Sequence, residues 1–83
     1  GMGLPIAAGQ ATIPLMAQTV SDAKALEQQG RQRYEAEQYS EAIAVWQQAI
    51  ATFKATGDRF GQAQTLSNLS LAYQQLSQRN QAS

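Results

Sequence analysis

Residues 37–58 read EQYSEAIAVWQQAIATFKATGD, and the spacing of their apolar side chains decides the fold class. Tyr39, Ala42, Ile43, Trp46, Ala49, Ile50 and Phe53 follow one another at offsets of three and four, the period that aligns side chains on one face of an α-helix. Glu41, Gln47, Gln48 and Lys54 fall on the opposite face, where water is the neighbour. Ser40, with Glu41 behind it, is the expected N-cap and acidic first turn. The helix is expected to end near Thr56, because Gly57 can take the left-handed backbone that closes a helix and Asp58 can cap the next one.

The same period extends to both sides. Upstream, Ser21 as N-cap and Asp22 in the first turn open a helix over about 22–37, with Ala23, Leu26, Gly30 and Tyr34 turned inward. The polar stretch Glu37–Ser40 then makes a tight turn. Downstream, a third helix is expected over about 59–78, with Phe60, Ala63, Leu66, Leu69, Ala72, Tyr73 and Leu76 as its apolar stripe. The chain is therefore all-α, with a helical domain over 21–78 and a polar tail over 79–83.

Shifted by about 40 residues, the chain superposes Ala23 on Ala63, Leu26 on Leu66, Gly30 on Ser70 and Gln38 on Gln78. The first and third helices are counterparts, and the order is helix, turn, helix, linker, then the first helix of a second unit.

These residues resemble the tetratricopeptide repeat family in its longer variants. Leu66, Leu69, Ser70 and Tyr73 match the first-helix pattern, Leu26, Gly30 and, one residue late, Tyr34 match it in part, and Ala42, Trp46 and Ala49 match the second helix. Gln29 and Arg33 depart from the pattern, and the Pro expected after the second helix is absent. The resemblance covers about residues 22–78 and implies about one and a half antiparallel helix-turn-helix repeats of an α-solenoid, with three main helices. A HEAT-like helical pair, whose period is also near 40, is the alternative. Small Gly30 and Ala42 let two antiparallel helices approach closely while Trp46 fills the volume beside them.

Composition excludes several function classes. Six Lys and Arg balance six Asp and Glu, so the chain lacks the basic footprint of a nucleic-acid binder. Cys and His are absent, which removes disulfides, thiol nucleophiles, zinc sites and imidazole bases. Glu35 and Glu37 lie two apart and cannot share a helix face, so no carboxylate pair stands out. The Gly57–Gly61 stretch lacks the Lys and the preceding strand of a phosphate loop and reads as a linker. Trp46, Tyr34, Tyr39, Tyr73, Phe53 and Phe60 fall mostly on helical stripes with few cations between them, as core residues do. The expectation is a protein that is not an enzyme, with no cofactor and no metal.

Residues 1–20 are uncharged and mostly apolar or small, but Pro5, Gly9, Gln10 and Pro14 interrupt them short of a membrane span. Gly1 before Met2 reads as left by tag cleavage. The rest reads either as a truncated secretory leader, with a small residue at Ala17 before Gln18, or as an apolar arm that packs on the domain or on a neighbouring chain. The leader reading points to an exported or periplasmic protein, and the arm is equally compatible with the cytoplasm.

The resemblance places partner binding on the inner face of the superhelix. The residues there are Lys24, Glu27, Gln28, Arg31 and Glu35 of the first helix, with Gln64, Ser67, Asn68, Leu71 and Gln75 of the third. Family members that clamp a partner's terminal carboxylate use Lys and Asn at paired positions. Asn68 occupies one such place but Glu27 stands where Lys is needed, so that clamp is not expected. The expected function is a non-catalytic module for a protein or peptide partner. The alternative is self-association into a homo-oligomer, through the N-terminal arm or through Leu66, Leu69, Tyr73 and Leu76, whose stripe lacks a second-unit partner.

Overall fold

The computed structural model describes residues 19–82, in which three α-helices follow one another: α1 (Val20–Glu35), α2 (Tyr39–Thr56) and α3 (Arg59–Ala82). The N-terminal segment, read above as leader or arm, lies almost wholly outside the described residues. Within them the chain is all-α, α1 and α3 flank α2, and α1 and α3 barely touch each other.

The cap of α1 is Thr19, not Ser21. Thr19 Oγ1 accepts the Asp22 N–H at 3.1 Å and the Asp22 carboxylate accepts the Thr19 N–H at 3.1 Å, a reciprocal capping box that places Ser21 inside the first turn. Ser40 is likewise not a cap. The N-cap of α2 is Gln38, without a side-chain hydrogen bond, and the helix already begins at Tyr39.

The reason lies in how α1 ends. The Gln38 N–H reaches the Arg33 carbonyl at 2.8 Å and the Glu37 N–H reaches the Tyr34 carbonyl at 2.9 Å, the Schellman pattern. The end of α2 repeats it, with Asp58 N–H to Phe53 carbonyl at 3.0 Å and Gly57 N–H to Lys54 carbonyl at 3.2 Å. The left-handed residue of the second turn is Gly57, φ 80°, as expected, whereas in the first it is Glu37, φ 63°. Glu37 is held from α3. Arg79 donates to its carbonyl at 3.1 Å and its carboxylate at 3.0 Å, and the guanidinium lies 4.8 Å over the Tyr39 ring.

A left-handed L-residue costs about 1–2 kcal/mol, and an exposed ion pair returns about 0–1 kcal/mol. Glu37→Gly is therefore expected to stabilise the chain by about 1 kcal/mol in an Arg79→Ala background, and by less in the native chain, where it also removes the carboxylate contact. Urea denaturation of the four proteins checks this, and equal gains in both backgrounds would mean the carboxylate contact contributes nothing.

The core lies along α2. Ala42, Ile43, Trp46, Ala49, Thr52 and Phe53 are buried there, and the apolar ones form two clusters along the helix. Ala42, Ile43 and Trp46 join Ala72 of α3, with Tyr34, Leu69 and Leu76 against them. Ala49 and Phe53 join Ala23 of α1, with Leu26 beside them. Trp46 and Phe53 each rest on a glycine of a neighbouring helix. A Cβ built at Gly30 would come within 3.0 Å of three atoms of the Trp46 indole, and one at Gly61 would do the same at the Phe53 ring. The Trp46 indole N–H donates to the Glu27 carbonyl at 2.9 Å, and its ring lies 5.8 Å from Tyr34.

On α3 the buried face is rotated from the expected stripe. Gly61, Thr65 and Ala72 are buried and Leu69 and Leu76 half-buried, while Phe60, Ala63, Leu66 and Tyr73 are exposed. The expected stripe followed the large side chains. The helix turns Gly61, Thr65 and Ala72 toward α2, and Thr65 satisfies its own hydroxyl by donating to the Gly61 carbonyl at 2.8 Å. The helix also runs to Ala82, past its expected end at Gln78 and through the expected polar tail.

Candidate functional site

Between α1 and α3, above α2, runs a groove of about 670 Å³. Its α1 wall is Lys24, Glu27, Gln28, Arg31, Gln32 and Glu35, positions three and four apart that share one helix face. Its other wall is Asp58, Phe60, Gly61 and Gln64 at the start of α3, with Phe53 at the floor. A smaller hollow of about 310 Å³ continues it along α3, where Arg31, Glu35 and Gln64 meet Tyr34, Trp46, Asn68 and Leu71.

The structure thus brings together eight of the residues assigned to the inner face: Lys24, Glu27, Gln28, Arg31, Glu35, Gln64, Asn68 and Leu71. Ser67 and Gln75 are not among the lining residues. Phe60, which the sequence placed in the core stripe, is instead 78% exposed at the groove wall, and Leu71 is 49% exposed. Five of the six α1 positions were expected from the resemblance, and Gln32 was missed although it shares their helix face. Phe60 was not, because an aromatic so close to a cap fits either face.

Glu27 organises the polar floor. Its side chain is only 13% exposed, and its carboxylate accepts Arg31 at 2.8 and 3.0 Å and Asn68 Nδ2 at 3.2 Å. The last bond is a direct side-chain link between α1 and α3 across α2. The carboxylate holds the Arg31 guanidinium above its ordinary pKa, first through the hydrogen bond and then through charge, with Glu35 adding to it. Arg31 is therefore positive at every working pH, and the groove gains no pH switch from it. Asn68, the one position that matches the carboxylate clamp, donates to the Glu27 carboxylate of its own chain.

The second candidate surface divides. Leu69 and Leu76 pack against the buried cluster around Trp46, whereas Leu66 is 46% and Tyr73 49% exposed on the outer flank of α3. The Tyr73 hydroxyl accepts Gln47 Nε2 at 3.3 Å, which holds the ring along the edge of α2.

Among the described residues no group of three or more Asp, Glu, His or Cys could hold a metal ion, and no helix is long and apolar enough to cross a membrane. No protein-family model, no curated protein and no solved structure matches the chain with significance.

Proposed function

We propose that the chain is a tetratricopeptide-like repeat unit that acts as a non-catalytic interaction module, taking an extended peptide or a helix of a protein partner in the groove between α1 and α3. The observation that carries this is the groove itself. It is about 670 Å³ and lined by mixed polar side chains, and an aromatic, Phe60, stands 78% exposed at its wall. A pocket of this size, with an apolar anchor and a few fixed polar groups, suits side-chain recognition. The Glu27–Arg31 pair, in which one guanidinium nitrogen reaches both carboxylate oxygens, and its Asn68 bond pre-order that surface, which lowers the ordering cost of binding.

Peptides selected from a random library on the full chain provide the test. Phe60→Ala and Arg31→Glu, both at exposed side chains, are expected to weaken their binding by about tenfold, the scale of one lost anchor, without changing helicity by circular dichroism. Binding that ignores both substitutions would place the site elsewhere.

Self-association is the second reading, favoured by the exposure of Leu66 and Tyr73. Light scattering over a concentration series decides it: a constant monomer mass removes the reading.

A further inference from the structure

We infer that the outer flank of α3 is the seat of one more amphipathic helix, carrying the same chemistry as α2. An offset of roughly 40 residues relates α1 to α3. On α1, Ala23 and Gly30 are buried and Leu26 half-buried because Ala49, Phe53 and Trp46 of α2 lie over them. Their counterparts on α3, Ala63, Leu66 and Ser70, are all exposed, and Tyr73 stands beside them, 49% exposed. The face that α2 covers on α1 is thus present on α3 and uncovered.

The end of α3 agrees with this placement. At the same offset the turn Ala36–Gln38 falls on Leu76–Gln78, and Tyr39–Ala42, the first turn of α2, falls on Arg79–Ala82, small residue on small residue. The last turns of α3 therefore occupy the register of a turn and of the first residues of a following helix. The contacts of Arg79 with Glu37 and Tyr39 hold them instead as a continuation of α3.

The fitting guest is defined by what α2 does on α1: a small residue, an aromatic four positions on, and a small residue three further, as Ala42, Trp46 and Ala49 are spaced. Ser70 has a Cβ where Gly30 has none, so the guest aromatic stands further out than Trp46 does. This seat lies on a different flank of α3 from the groove and does not rest on the groove's function.

The test extends the full chain. A copy of residues 43–57 is joined after Ala82, so that Arg79–Ala82 become the first turn of the added helix. The chain has no cysteine, so Ala63→Cys introduces a single exposed thiol in both the native and the extended chain. Alkylation of that thiol is expected to slow by tenfold or more in the extended chain, and its melting temperature to rise by roughly 5 °C or more. Ser70→Gly is expected to lower the melting temperature of the native chain, where it only weakens a helix, and to raise that of the extended one, where it admits the aromatic. Should the extended chain aggregate, the 18-residue α2 peptide supplied in trans is expected to slow the same alkylation, and its Trp46→Lys version to leave it unchanged. Unchanged alkylation in both formats would overturn the inference. So would an unextended chain whose mass doubles with concentration while the thiol introduced by Ala63→Cys becomes protected, since a second copy would then be the occupant.

Discussion

Truncating Trp46 to alanine is expected to destabilise the chain by about 3–5 kcal/mol, the cost of emptying a large aromatic site in a packed core. The total available to a domain of this size is on the order of 4–12 kcal/mol, so the substitution removes from about a quarter of it to all of it. Two features set the size of the effect. The indole is only 2% exposed and lies where α1, α2 and α3 meet. Its N–H also satisfies the Glu27 carbonyl, which in the variant loses a partner next to the groove floor. Urea denaturation followed by circular dichroism measures the loss. A cost below about 1 kcal/mol would mean that the cavity collapses and that Trp46 is not the centre of the core.

Gly30→Ala should destabilise as well, although the elementary expectation has the opposite sign. In an unconstrained helix, alanine is favoured over glycine by about 0.8–1.0 kcal/mol. At position 30 the new methyl would meet three indole atoms inside 3.0 Å, and ring atoms cannot swing aside as a flexible side-chain tip can. Overpacking of this kind costs about 1–3 kcal/mol. The substitution is therefore expected to lower stability, and to raise it by about 1 kcal/mol once Trp46 has been replaced by leucine and the seat is vacant. A double-mutant cycle reads that reversal directly, and additive effects would show that the two residues do not share the site.

Much of this architecture is visible in the bare sequence, for reasons that differ along the chain. α2 lies between two helices and must be apolar over a wide arc, so Ala42, Ile43, Trp46, Ala49 and Phe53 announce it. Gly57 and Asp58 mark the second turn, since one supplies the left-handed backbone and the other a carboxylate for the Gly61 N–H, 3.0 Å away. Thr19 was legible in principle through its spacing from Asp22, but Ser21 competes as the nearer cap-forming residue. Glu37 was not legible, because the contacts that hold it left-handed come from Arg79, 42 positions away. The face of α3 was misplaced for a related reason. Side-chain volume points to Phe60, Leu66 and Tyr73, while close approach to α2 selects Gly61 and Thr65 beside Ala72, which the expected stripe already held. At the groove, helical spacing groups the α1 positions on one face and the resemblance singled that face out, whereas the Glu27–Asn68 bond is a tertiary contact that no local pattern encodes.

The position of the single tryptophan also makes the molecule its own spectroscopic reporter. Trp46 is shielded from water between α1 and α2, with the Tyr34 ring 5.8 Å away as an energy-transfer donor. Its emission should be blue-shifted in the native state and move to longer wavelength when the α1–α2 hairpin opens. The far-ultraviolet ellipticity, in contrast, is weighted toward α3, which at 24 residues is the longest helix. Coincident fluorescence and ellipticity transitions would mark one cooperative unit. An ellipticity loss that precedes the emission shift would show α3 unwinding from its far end while the hairpin still holds.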